Sequence, residues 1–294
     1  MIFDELLNRM NQDLQLRGMA DSTQHDYLRA VRKISEHFEK PPDLITEDEL
    51  RIYFLYLKNE RNLSRSASAV ALCGIKFFYT YTLQRDWPTL TLVRAPRENK
   101  LPVVLSRHEV NFVLSKVHTF RHRACLKTIY SCGLRLNEGI HLQAGDINSD
   151  PNQMLVHVRY AKGGRQRFVP LPRTTLNMLR ELWMTHRNPD WLFPATGRGG
   201  GEMSMASAMK PVSRGTIQEA FRAALKESGI RKRASVHTLR HSYATHLLEK
   251  GVNLRLIQQY LGHRSPRATA VYTHLTKTAY KAGYRAIEEL MTDI

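Results

Sequence analysis

Four short segments carry side chains able to act on an anionic group. In SCGLRLNE, Arg135 follows Gly133 at the mouth of a helix that carries Glu138. In YAKGGRQRFVP, Lys162 sits at a turn through Gly163 and Gly164. VHTLRHSYATHLLEKG places His237 and Arg240 three apart, on one face of a helix. LGHRSPRATAVYTHL sets His263 just after Gly262, which ends a helix, and Tyr272 beside the next one. Arginines are permanent cations that fork onto phosphate-like oxygens, and a tyrosine is a nucleophile once its phenol loses a proton. Taken singly, each segment has a plainer reading: a capping arginine, a solvated turn lysine, a solvated helix face, a half-buried core tyrosine. The set, in this order and beside these glycines, is what stands out.

The bulk composition agrees with an anionic partner. The 294 residues hold 44 Lys and Arg against 27 acids, a formal charge of +17. Such an imbalance strains a compact chain unless a polyanion relieves it. The cations run through both halves, which suits a folded surface for nucleic acid better than a basic tail. The hydrophobic content of 42% supports a real core and excludes a disordered chain. No apolar run is long enough to cross a bilayer, and the amphipathic start is unlike a signal peptide, so a cytoplasmic protein with no membrane partner is expected. Cys73, Cys125 and Cys132 lie in apolar helical stretches and are expected to be buried free thiols.

The elements that must position these residues are mostly helices. Phe3, Leu6, Leu7, Met10 and Leu14 recur at helical spacing before Gly18. Tyr27 to Phe38 gives a second stripe stopped by Pro41 and Pro42, Thr46 with Glu49 caps a third, and a fourth runs from near Ser64 to about Leu83. The stretch from Asp86 to Pro102 has loop character. Ser106 with Glu109 then opens a second helical region. Met154–Val158 and Arg167–Pro170 read as two strands of a hairpin, and Gly197 to Ser213 as a mobile loop. Thr216 with Glu219 caps a helix ending at Gly229. Further helices span about Thr238 to Lys250 and Asn253 to Leu261, one starts at Ser265–Pro266, and a last carries Tyr280, Tyr284, Ile287 and Leu290. The fold class is therefore mainly α, two helical domains with a small β-hairpin in the second.

The motifs G-L-R-x-x-E, a hairpin lysine before x-R-x-V-P, H-x-L-R-H-S-x-A-T-H-L, and L-G-H followed by V-Y-T-H resemble the tyrosine recombinase (phage integrase) family. Xer-type recombinases and integron integrases belong to that family. The resemblance implies an N-terminal core-binding domain over residues 1–92, a linker over 93–104, and a catalytic domain with a C-terminal helix over 105–294. It assigns Arg135, Lys162, His237, Arg240, His263 and the nucleophile Tyr272 as the catalytic set, with Glu138 orienting it from behind. Ala161, Arg165 and Ala268 depart from common family choices without removing a reacting group.

The implied activity is site-specific recombination of duplex DNA through a covalent 3′-phosphotyrosine, for a mobile genetic element. Arg135 and Arg240 would clamp the phosphate, His237 would help deprotonate Tyr272, His263 would bond the phosphate, and Lys162 would protonate the leaving oxygen. A type IB topoisomerase and a non-catalytic DNA-binding protein are the alternatives. Because the phosphotyrosine conserves the bond energy, no cofactor is expected. His237, His241 and His246 share a helix, but H-T-L-R-H lacks the glutamate that zinc hydrolase helices set between their histidines, so no metal is expected. The expected partners are paired DNA sites, on which a free monomer becomes a homotetramer, the helix from Thr278 to Met291 docking into a neighbouring copy.

Overall fold

Helical stripes with well-placed ends build both parts of the chain. The computed structural model describes residues 3–61, 65–92, 101–159, 166–197 and 202–263, with 269 and 272. Two compact units divide the chain, Met1–Asn99 and Lys100–Ile294.

In the first unit, α1 (Phe3–Leu16) buries Leu6, Leu7, Met10 and Leu14. Gly18 ends it with φ 64°. Helix α2 (Asp21–Phe38) stops before the two prolines, because Glu39 already turns left-handed at φ 52°. Thr46 caps α3 (Glu47–Asn59): its hydroxyl accepts from the Glu49 N–H, while the Glu49 carboxylate accepts from the Thr46 N–H at 2.8 Å. Helix α4 (Arg65–Phe77) approaches α2 closely at Gly74, where a Cβ would lie 2.9 Å from the Tyr27 Cα. It continues as a π-helical turn, Phe78–Thr82, in which the Leu83 N–H reaches back to the Phe78 carbonyl. This widening turns Tyr79 inward to donate to the Pro42 carbonyl at 2.7 Å. A short α5 (Pro88–Leu92) occupies part of the stretch expected to be loop.

The second unit opens with the expected capping box of Ser106 and Glu109 on α6 (Arg107–Ser115). Next come α7 (Phe120–Ser131) and the short α8 (Leu136–Ile140). A three-stranded antiparallel sheet follows: β1 (Ile147–Asn148), β2 (Leu155–Val158) and β3 (Arg167–Pro170), in the order β1-β2-β3. The hairpin pair is as expected, with Val156 opposite Val169; two-residue β1 is too short to give a periodic signal. Then come α9 (Arg173–His186), α10 (Glu202–Ala206), α11 (Arg214–Glu227), α12 (Val236–Glu249) and α13 (Leu254–Leu261).

Three further expectations are corrected. The Gly- and Ser-rich stretch contains α10. Helix α11 starts earlier than Thr216, because Ser213 takes over as its cap and accepts from the Thr216 N–H at 3.1 Å. Cys73 is exposed while Cys125 and Cys132 are buried, since Cys73 falls on the outer face of α4.

The core of this unit gathers Leu105, Val113, Cys125, Ile129, Val156, Val169, Phe193, Phe221 and Leu239. Helix α12 is buried on most sides, through Val236, Leu239, Arg240, Ser242, Ala244 and Thr245. A smaller cluster joins Ala244, Ile257, Leu261 and Tyr272. Among the described residues no helix is long and apolar enough to cross a membrane. The hairpin turn, the Ser265–Pro266 helix start and the final amphipathic helix lie outside the described residues.

Candidate active site

A single buried carboxylate organises the site. Glu138, on the first turn of α8, is 2% exposed. Arg135 caps that helix, its backbone N–H donating to Oε2 at 2.8 Å and its Nη1 to Oε1 at 2.7 Å. From β3, Arg167 forks onto both oxygens, Nη1 at 3.1 Å and Nη2 at 2.8 Å, and its Nε donates to the Tyr260 carbonyl at 2.7 Å. From α12, Arg240 brings Nη1 within 3.5 Å of Oε2. Burial by itself would push the Glu138 carboxyl up. The Arg167 bonds, the Arg135 N–H and the charge of Arg240 outweigh it and hold the group at about 2.

Arg240 is only 1% exposed, and two helix ends receive it. Its Nη1 donates to the Gly133 carbonyl at 2.9 Å, past the end of α7, and its Nη2 donates to the Leu261 carbonyl at the end of α13. Orphan carbonyls and the negative ends of helix dipoles thus share the work of holding a buried cation. Gly133, with φ 60°, and Gly262, with φ 61°, make both helix ends possible. Burial, and after it Arg135, lower the guanidinium to about 9, still charged at neutral pH. Three guanidiniums against one carboxylate leave an excess of two positive charges in this cluster. The Arg135 side chain, 26% exposed, opens it to solvent.

Around the cations stand three histidines and the tyrosine. His237 and His241 follow each other by one turn on α12 and meet edge to face, ring centres 4.5 Å apart. Tyr272 is 1% exposed, packed on Ala244, Ile257 and Leu261. Its Oη shares a hydrogen bond of 2.9 Å with Nδ1 of His241. His263, beyond α13, lies parallel to the Tyr272 ring with centres 6.4 Å apart, its Nδ1 bonded to the Thr269 hydroxyl at 2.9 Å. Burial lowers all three imidazoles first, followed by Arg240 and Arg135 at His237 and His263 and by His237 and Arg240 at His241; His241 and His263 are brought to about 4. Burial raises the Tyr272 phenol, with Arg240 and Arg135 pulling the other way.

Of the residues singled out in the sequence, Arg135, Glu138, His237, Arg240, His263 and Tyr272 fall in this one region. Lys162 lies outside the described residues. His246 faces elsewhere, bonded to the Tyr130 hydroxyl at 2.8 Å. The neighbour of the Tyr272 hydroxyl is His241; His237, offered by the sequence for that task, sits one turn earlier. Arg167 and His241 were given no catalytic role from the sequence: the first entered only as the arginine of x-R-x-V-P, the second only as one of three helix histidines weighed for a metal. Strand alternation holds a signal for Arg167, which shares the inward face with buried Val169, where a guanidinium needs an acid. For His241 the one local signal is its position a turn after His237.

Comparison with known proteins gives the class of this arrangement. Residues 104–279 match the phage integrase family, and residues 6–89 match the phage integrase N-terminal SAM-like domain. The chain belongs to the phage integrase family and is a tyrosine site-specific recombinase. An integrase/recombinase of Sinorhizobium fredii is 37% identical over 276 residues, 94% of this chain and 86% of that protein. The tyrosine recombinase XerD of Oceanobacillus iheyensis is 30% identical over 283 residues, 92% of this chain and 93% of the relative. Among solved structures, XerA recombinase is similar over 97% of this chain and 98% of its own, at 25% identity and TM-score 0.51. XerH recombinase, solved after cleavage of a palindromic difH substrate, shares the fold over 92% of this chain and 82% of its own, with TM-score 0.70 and 22% identity.

Proposed function

We propose that this recombinase breaks and rejoins duplex DNA by transferring a phosphodiester to Tyr272, forming a 3′-phosphotyrosine. The observation that carries this reading is the Tyr272 phenol set beside a cluster with two uncompensated positive charges. A scissile phosphate supplies the missing anion. Arg135 and Arg240 stabilise the charge that builds on its non-bridging oxygens. His237 and His263 hydrogen-bond the same phosphate, Glu138 fixes the two arginines, and Lys162 returns a proton to the leaving 5′-oxygen. Residues 1–92 serve as the core-binding domain, 93–104 as the linker and 105–294 as the catalytic domain.

XerH has been solved on its DNA and lambda integrase as a tetramer on a Holliday junction, which supports DNA as the partner here and assembly of four chains on paired sites. A monomer in free solution and service to a mobile element complete the reading. The test is covalent capture: protein is incubated with fragmented host DNA in EDTA and without nucleotide, denatured, and the linked DNA sequenced. The expected result is a denaturant-resistant adduct from the wild type, with unique end sequences, and none from Tyr272→Phe, which still binds DNA. An adduct formed by the Phe variant overturns the assignment of the nucleophile.

A further inference from the structure

Tyr272 needs somewhere to put its proton, and the structure holds one imidazole against that oxygen. We propose that His241 is the catalytic residue that takes the phenol proton as Tyr272 attacks, a step that rests on the reading of Tyr272 as nucleophile. Three features carry it. His241 Nδ1 lies 2.9 Å from the Tyr272 Oη, within reach of direct proton transfer. Its ring is braced edge to face by His237, on a helix buried on most sides, so the imidazole is held on a well-packed element. The phenol itself is packed among Ala244, Ile257 and Leu261, which leaves water little access to serve instead.

The charged groups around this pair also explain why the proton stays put without DNA. His237 and Arg240 on the same helix, Arg135 at the start of α8 and His263 beyond α13 surround His241 and Tyr272, with Glu138 behind the arginines. Burial, then His237 and Arg240, hold the imidazole at about 4, so it is neutral and a weak base. A scissile phosphate placed among those cations offsets the share of that weakening that comes from charge, while burial keeps its own share, and the forming O–P bond acidifies the phenol. Part of the base strength therefore arrives with the substrate. In the step, the Oη–H bond breaks and an N–H forms at Nδ1; the Oη–P bond forms as the P–O5′ bond breaks, and the 5′-oxygen takes a proton from the general acid. On resealing, a 5′-hydroxyl attacks phosphorus and gives its proton back to the deprotonated general acid, while the Oη–P bond breaks and the departing phenolate recovers its proton from His241.

The experiment uses the full chain and a nicked duplex built from the captured sequence, so that absence of any wild-type adduct counts against the nucleophile and not against His241. Single-turnover adduct formation by His241→Ala should fall by roughly 100-fold or more at neutral pH, with DNA affinity within two-fold of wild type. The deficit should shrink as pH rises. It should largely vanish when position 272 carries 3,5-difluorotyrosine, whose phenol is the stronger acid, a rescue that a merely structural role would not give. If the Ala variant unfolds, the same readings are taken on His241→Gln, whose amide oxygen can accept the hydrogen bond but not the proton. Adduct formation at the wild-type rate, or a deficit that neither pH nor the fluorinated residue relieves, overturns the proposal.

Discussion

At the scale of single residues, the Glu138 carboxylate decides the electrostatics of the whole cluster. A group held at about 2 against an ordinary value of 4.5 stabilises the folded unit by roughly 3 kcal/mol at neutral pH. The sign follows from the depressed value: that stabilisation is complete above about pH 4.5 and drains away as the pH falls toward about 2. Glu138→Gln should therefore lose about 3 kcal/mol in urea unfolding at pH 7, because three guanidiniums are left without their acid. The gap between wild type and variant should then narrow as acid is added. A constant gap down to pH 3 would mean that packing, and not charge, is what the glutamate contributes.

At the scale of elements, helix ends do the positioning. The carbonyls that receive Arg240 belong to the ends of α7 and α13, and both ends depend on a left-handed glycine. At Gly133 an added Cβ would also lie 2.5 Å from the Tyr243 ring. Gly251, with φ 79°, ends α12 with nothing within 4 Å of the same atom, so it is the natural control. Gly251→Ala should cost about 1 kcal/mol of backbone strain. Gly133→Ala should cost that plus about 1–3 kcal/mol of overpacking, and should slow adduct formation because it moves an acceptor of Arg240. Equal losses in denaturant unfolding would show that the Tyr243 contact yields easily and that the helix end is not under tight control.

Across the whole molecule, +17 on each chain opposes assembly unless DNA lies among the copies. A chain that acts on two duplexes has to exchange four strand ends, so the proposed assembly is a tetramer formed on paired sites and absent in free solution. The amphipathic stretch from Thr278 is the proposed exchanged part. Removing residues 278–294 should spare binding to a single site but abolish synapsis and recombination. Light scattering with and without DNA provides the reading: a stable tetramer of the free protein, or normal recombination by the shortened chain, would contradict it.

Most elements were legible in the sequence because their causes are local. Helical stripes such as Leu6, Leu7, Met10 and Leu14, the caps at Thr46 and Ser106, and the alternation of the β2–β3 hairpin are each written within a few residues. The same holds for Arg135 and His263, which Gly133 and Gly262 set just past helix ends. Weak local signals were lost: β1 is two residues long, and α10 lies in a Gly- and Ser-rich stretch. What the tertiary structure alone decided was the partnering. Arg167 meets Glu138 across 29 positions, His241 meets Tyr272 across 31, and Arg240 reaches back 107 to the Gly133 carbonyl. Nothing within a helical turn of any of these residues encodes such a meeting. It follows from burial, because a charge or a phenol taken out of water has to find its partner among whatever the packed helices bring alongside.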